Sequence, residues 1–207
     1  MALRDWPVIV ACVLGLSLVL LVIWRGRRSP LAAPLSFLVL NLTAWNFADD
    51  AWHASGEQVR VWHMLDHALS PLGMPLAIGF TLVFVGRRTQ LRRLLAASWI
   101  VAVAAGAPAL FSLVNELGPL ATWGARFTES DAWYWLNLAH LVVIASIGVW
   151  LLIRHARTAP EGERTQARGV LAAMGVLVVL GLTEFLPGPG LGLLGFVIFT
   201  LVLAVVV

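Results

Sequence analysis

Residues 7–28, PVIVACVLGLSLVLLVIWRGRR, decide the fold class of this chain. The first 18 of them are almost entirely apolar, and Arg25, Arg27 and Arg28 follow within four residues. A helix of this length spans about 27 Å at ~1.5 Å per residue, close to the ~30 Å hydrocarbon thickness of a bilayer. The stretch lacks the small-residue cleavage site of a signal peptide. We therefore predict a membrane-spanning helix here.

Six more apolar segments follow along the 207 residues, at about 31–52, 62–85, 94–114, 133–153, 170–186 and 191–207. The whole chain is 60% hydrophobic and only 12% charged, and its mean hydropathy is +0.88. These values exclude a soluble globular protein and a disordered chain. Backbone groups in lipid must bond internally, so each segment is predicted to be a helix. We expect an all-α integral membrane protein, with one seven-helix transmembrane domain over residues 1–207.

The arginines predict the orientation of this bundle. Eleven of the 14 lie in the three loops that follow the first, third and fifth segments, around residues 25–28, 87–93 and 154–168. Positively charged loops stay in the cytoplasm, so we expect the N-terminus outside and the C-terminus inside, in a cell inner membrane. Because the arginines mark topology, they do not indicate nucleic-acid binding.

Several kinds of chemistry are excluded or disfavoured by composition. All 14 basic residues are arginine, so no lysine can form a Schiff base with retinal. Cys12 is the one cysteine, which excludes an internal disulfide. The sequence has no phosphate-binding glycine loop, no G-x-S-x-G and no kinase or hydrolase motif. These observations favour a non-catalytic protein.

Ionisable residues in the apolar segments gather toward the predicted outer side. An ionisable group inside a membrane costs roughly 2.5–3.5 kcal/mol, so each is a candidate for function. Two interpretations remain open: a water-filled pocket that faces the outside and binds a ligand, or interfacial residues bonded to each other and to lipid headgroups. The candidate ligand-binding residues are Asp49, Asp50, His53, His63, Asp66, His67, His140 and Glu184.

A metal site is a sharper hypothesis for the same region. His63 and His67 are four residues apart and share one face of a helix, and Asp50 precedes them in the neighbouring segment. Imidazole and carboxylate ligands suit zinc or a similar divalent ion. The spacing also occurs by chance, and haem held by paired histidines is a further alternative.

Several short patterns resemble the N-terminal seven-transmembrane region of bacterial sensor histidine kinases and related signalling proteins. The resemblance covers about residues 31–207. It implies a membrane-embedded sensor whose C-terminal helix enters the cytoplasm and drives an effector. The residues that carry it are Leu42-Thr43-Ala44-Trp45-Asn46, Trp62, the Pro71–Pro75 stretch with Phe80, Gly86-Arg87-Arg88, Trp133-Tyr134-Trp135, Glu163-Arg164-Thr165-Gln166-Ala167-Arg168 and Gly181-Leu182-Thr183-Glu184-Phe185-Leu186-Pro187.

Three functions remain open. A sensory, ligand-binding membrane module is expected first, coupled to a cytoplasmic effector. The chain stops at Val207 within the last apolar segment, which is expected either of a sensor portion of a longer protein or of a free-standing relative. The alternatives are a non-catalytic subunit or assembly factor of a larger membrane complex, and a metal-dependent membrane enzyme. The expected partners are the lipid bilayer, the effector or other membrane subunits, with a homodimer also open.

Overall fold

A computed structural model describes residues 6–26, 28–54, 59–114, 126–185 and 191–206. All regular secondary structure in these ranges is helical. The helices are α1 (Trp6–Arg25), α2 (Ala32–Ala54), α3 (Val59–Leu69), α4 (Gly73–Phe84), α5 (Arg92–Val114), α6 (Asp131–Thr158), α7 (Glu161–Gly181) and α8 (Gly192–Val206). Short 3₁₀ turns occupy Ser70–Leu72 and Leu182–Phe185. The prediction of an all-helical protein is confirmed for this part of the chain.

The predicted segment 62–85 is divided between α3 and α4. Pro71 and Pro75 have no N–H group, so the regular helical bonds to the carbonyls four residues earlier cannot form. The chain passes this point as the 3₁₀ turn, where the Gly73 N–H bonds to Ser70 instead of Leu69. The Leu69 carbonyl accepts a bond from Asn41 Nδ2 of α2 at 3.3 Å. A neighbouring helix thus satisfies a carbonyl that the break leaves free, as a buried interruption requires.

Helices α2 and α3 run antiparallel, as their Asn41–Leu69 and Trp45–Asp66 bonds show, and so do α5 and α6. Between α5 and α6, Trp133 bonds to Ala105 at one level and His140 bonds to Ser98 two turns away. The residue numbers fall on one helix as they rise on the other, which only antiparallel helices allow. The α6–α7 connection is short, because α7 begins three residues after Thr158.

The bundle closes on itself around α2. Helix α2 packs against α1, α3, α4 and α8, while α6 packs against α4 and α7, and α8 returns to α1. Phe80, Phe196 and Phe199 fill the core between these helices and are at most 1% exposed. Helix α5 lies beside α3, α4 and α6.

The outside of the bundle is apolar. On α1 alone, Val13 is 57% exposed and Leu20 is 68% exposed. On α2, Phe37, Leu40 and Phe47 form an exposed stripe at helical spacing. Soluble monomers rarely expose contiguous apolar surface on this scale, so the exterior is suited to lipid.

Four stretches are long and apolar enough to cross a membrane by length and composition: Trp6–Arg25, Val61–Phe84, Arg92–Ser112 and Asp131–Thr158. The apolar part of α8, Leu193–Val205, is shorter. Helices α2 and α7 are not among the four. The polar residues Asn41 and Asn46 lower the mean hydropathy of α2, and α7 begins with a charged first turn at Glu161. Seven crossings and their orientation therefore remain predictions.

Candidate functional site

A polar cluster lies on α3 where that helix faces α2. Asp66 is buried, and its carboxylate accepts a hydrogen bond from Trp45 Nε1 at 2.6 Å. His67 is also buried, and its Nδ1 lies 3.2 Å from Asp66 Oδ2 and 2.9 Å from the His63 carbonyl oxygen. A carbonyl oxygen can only accept, so His67 Nδ1 carries the hydrogen. Asp66 and His67 therefore hold each other in place.

Aromatic rings enclose this cluster. The rings of His63 and His67 are 4.0 Å apart between centroids, and Trp52 of α2 lies 4.4 Å from His63. Trp133 of α6 lies against His67, with 4.2 Å between the ring centroids, and donates through Nε1 to the Ala105 carbonyl of α5. The cluster therefore joins four helices through a compact set of polar and aromatic contacts.

His140 lies elsewhere on α6. It is buried, and its Nε2 lies 2.9 Å from Ser98 Oγ of α5. Among the described residues, its Nδ1 has no hydrogen-bond partner. The sequence placed His140 with the α3 histidines in one pocket. The structure instead pairs it with α5, two turns from the level at which Trp133 meets His67.

The other predicted ligand-binding residues lie near helix ends. Asp49 and Asp50 are half-buried in the last turns of α2. The side chains of His53 and Glu184 fall outside the described part of the structure. His63, Asp66 and His67 are thus the predicted site residues that the structure brings together.

The described residues do not support the metal hypothesis. They contain no group of three or more His, Cys, Asp or Glu side chains placed to hold an ion. His67 Nδ1 is engaged by Asp66 and by the His63 carbonyl, which leaves Nε2 as the nitrogen that could bind an ion. The site predicted at His63, His67 and Asp50 therefore stays a prediction, and so does the haem alternative.

A cavity of about 90 Å³ lies beside the cluster, inside the bundle. Helices α2, α4, α6, α7 and α8 and the 3₁₀ turn after α3 all contribute to its walls. Most of the lining is apolar, including Leu42, Ile78, Ile144 and Phe196. Pockets of this composition, with a few polar groups, are typical of small-molecule sites.

The polar lining comes from α2, the 3₁₀ turn, α4 and α6. Thr81 is 0% exposed, and its Oγ1 has no hydrogen-bond partner among the described residues. Gly148 of α6 lies opposite, where a Cβ atom would be 3.9 Å from Thr81 Oγ1. Asn46 and Asn137 also line the cavity, and each donates through Nδ2 to a carbonyl of its own helix. A buried hydroxyl without a partner is costly, which makes Thr81 a natural contact for a bound polar group.

Trp45 connects the cavity with the α3 cluster. Its ring lines the cavity, while its Nε1 donates to Asp66. A molecule that displaced the Trp45 ring would therefore also disturb the bond to Asp66.

Sequence reasoning missed most of the cavity residues. It followed ionisable groups, whereas the cavity carries neutral polar side chains such as Asn46, Thr81 and Asn137. Amides in the middle of apolar segments were the available signal, because such groups in a membrane also need a partner. Trp45 and Asn46 were noticed only as part of a family pattern.

The helical architecture and the apolar exterior define a multi-pass membrane protein. The family described as the N-terminal 7TM region of histidine kinase matches residues 7–207, and the chain belongs to this family. The resemblance drawn from the sequence is thereby confirmed. A region of this kind is a membrane sensor module that works with a cytoplasmic effector domain. No curated protein and no solved structure matches the chain.

Proposed function

We propose that this chain is a sensor whose signal is a small amphipathic molecule bound in the cavity between α2, α4, α6, α7 and α8. The observation that carries the proposal is the position of Thr81 Oγ1, a buried hydroxyl without a partner in the described structure, in the wall of a mostly apolar cavity. A ligand with one hydrogen-bonding head and a short apolar body matches these walls. The α3 cluster contains residues of the polar pocket that the sequence predicts on the outer side. In this proposal the cluster borders the ligand cavity at Trp45.

The same cavity suggests how binding could be transmitted. Met174, Leu177 and Gly181 of α7 line it, and α7 is joined to α6 by Ala159 and Pro160. Arg164 Nη2 donates to the Ala159 carbonyl at 3.3 Å, which ties the start of α7 to this connection. A ligand that favours one packing of α6 and α7 over another would shift the arginine-rich end of both helices, provided that its affinity for the two packings differs.

Filling the cavity should abolish ligand binding. Ala145 of α6 lines the cavity, so Ala145→Leu would occupy it, whereas Ala139→Leu on the exposed side of α6 is a matched control. We expect short primary alcohols such as propanol and butanol to raise the thermal unfolding midpoint of the wild type and the control, but not of Ala145→Leu. A ligand present at ten times its Kd stabilises by about 1.4 kcal/mol.

Gly148→Ala offers a milder version of this experiment. The added Cβ would meet Ile78 and Thr81 at ordinary contact distance, so the variant should fold. Spin labels at Thr89→Cys and Glu161→Cys, in a Cys12→Ser background, report on the arginine-rich end. The alcohols should change the distance between the two spin labels in the wild type, and they should change it less in Gly148→Ala. Equal responses from wild type, Ala145→Leu and Gly148→Ala would contradict the proposal.

We further propose that the chain crosses the membrane seven times, with its N-terminus outside. The antiparallel packing of α2 with α3 and of α5 with α6 supports alternating crossings, as does the lipid-suited stripe on α2. In the part of the chain that the structure describes, several arginines lie at one end of the bundle. They include Arg25 at the end of α1, Arg92 at the start of α5 and Arg157 near the end of α6. Arg126, before α6, lies toward the other end.

Cysteine labelling in intact cells tests this topology. In the Cys12→Ser background, we expect Glu129→Cys to react with a membrane-impermeant maleimide. Thr89→Cys should react only after lysis, because it follows Arg87 and Arg88 in a predicted cytoplasmic loop. Both positions are exposed. Labelling of Thr89→Cys in intact cells would contradict the proposed orientation and indicate the opposite one.

A further inference from the structure

A second cavity, of about 210 Å³, lies at the arginine-rich end of the bundle. It is formed where α1 ends, α2 begins, α4 ends and α7 makes its second and third turns. None of the residues discussed for the ligand cavity lines it. It is therefore a separate feature of the fold and does not depend on the proposed sensing function.

The walls of this second cavity have two chemical characters. Phe80 and Val170 are at most 1% exposed, and Phe84 is half-buried beside them, so one side is deeply apolar. Arg25 and Ser29 supply polar groups at the open side, and both are exposed. An apolar wall next to a guanidinium fits a molecule with an anionic head and a hydrocarbon body.

The local charge favours an anion. Arg25 is itself part of the wall, and Arg28 follows on the same loop. Glu161 and Glu163 are found at the same end of the bundle, but neither lines the cavity. A guanidinium can hold a phosphate oxygen pair with two parallel hydrogen bonds, and basic pockets between membrane helices are suited to phospholipid headgroups.

We infer that this cavity binds one anionic phospholipid, with its phosphate at Arg25 and the first part of an acyl chain against Phe84 and Val170. The cavity also lies at the level of the bundle where a phospholipid headgroup is expected. Trp24 and Arg25 end α1, and an amphipathic ring followed by a cation is typical of the membrane interface. The lipid would then join α1, α4 and α7 at the end of the bundle from which a signal would leave.

Native mass spectrometry of the protein released from nanodiscs tests this inference. In an equal mixture of phosphatidylglycerol and phosphatidylcholine, the wild type should retain one phosphatidylglycerol in preference to phosphatidylcholine. Arg25→Gln should reduce that preference about tenfold, in line with the loss of a charge-assisted bond. Arg25→Lys should keep most of it, and Arg168→Gln is the matched control, because Arg168 is exposed on the face of α7 that points away from the lining residues Gln166 and Val170.

Two further arms separate the lipid from other sources of phosphate. Millimolar glycerol phosphate should not displace the bound lipid, because it lacks the hydrocarbon chain. Phe84→Ala should weaken lipid retention while leaving the charge of the site unchanged. The inference is overturned if Arg25→Gln retains phosphatidylglycerol as well as the wild type does, if the wild type shows no headgroup preference, or if glycerol phosphate competes fully. Circular dichroism in phosphatidylcholine verifies that each variant is folded.

Discussion

Trp45→Phe is expected to lower the stability of the bundle by about 2 kcal/mol, which corresponds to a drop of roughly 4–8 °C in unfolding midpoint for a chain of this size. The ring would still fill most of its space in the wall of the cavity. However, the buried Asp66 carboxylate would lose the donor that lies 2.6 Å away. A buried acceptor left without its partner costs more than an average hydrogen bond contributes.

A double-mutant cycle identifies the cause of this loss. Asp66→Asn alone weakens the same bond, so Trp45→Phe in an Asp66→Asn background should cost much less than in the wild type. Trp135→Phe is the control, since Trp135 is 62% exposed. Thermal unfolding in detergent micelles measures all four proteins. Additive losses from Trp45→Phe and Asp66→Asn would show that the Trp45–Asp66 bond does not stabilise the fold.

Gly15→Ala should also destabilise the protein, although alanine is the better helix former. A Cβ at Gly15 of α1 would overlap Thr43 Oγ1 of α2 and come within 2.9 Å of Phe196 Cζ of α8. Overpacking of this kind costs about 1–3 kcal/mol, whereas Gly→Ala in a helix gains only about 0.4–1 kcal/mol. We therefore expect a net loss of roughly 1–2 kcal/mol in thermal unfolding, because the clash is the larger effect.

Gly175→Ala is the matched control for this substitution. Gly175 also lies inside a helix, but a Cβ there would meet nothing within 4 Å. The control should be neutral or slightly more stable than the wild type. If Gly15→Ala matched Gly175→Ala, the close approach of α1, α2 and α8 would not exist in the folded protein.

The helices could be predicted well from the sequence because lipid imposes a simple rule on the backbone. Each apolar segment had to bond internally, and within the described residues a helix lies in each of the seven predicted segments. The break at Ser70–Leu72 follows from Pro71 and Pro75, because proline has no N–H group to continue the helix. Composition gave no information on which helices are neighbours, so the central place of α2 and the contact of α8 with α1 were not foreseen.

The site was predicted only in part, because helix faces depend on packing. His63 and His67 share a face by spacing alone, and the structure places them together with Asp66. His140 was grouped with them by depth, but it lies two turns along α6 from Trp133, the residue that contacts His67, and it pairs with Ser98 of α5. The cavity arises from residues on five helices, and no local pattern in the sequence predicts a void between them.

The most direct test of the proposed sensor is a density map of the protein in lipid nanodiscs, prepared with and without a primary alcohol. The account predicts added density beside Thr81 and Gly148, in contact with the Trp45 ring, and an altered position of α7 at its Glu161 end. An unchanged, empty space between α4 and α6 at saturating alcohol, with α7 in the same place, would contradict it.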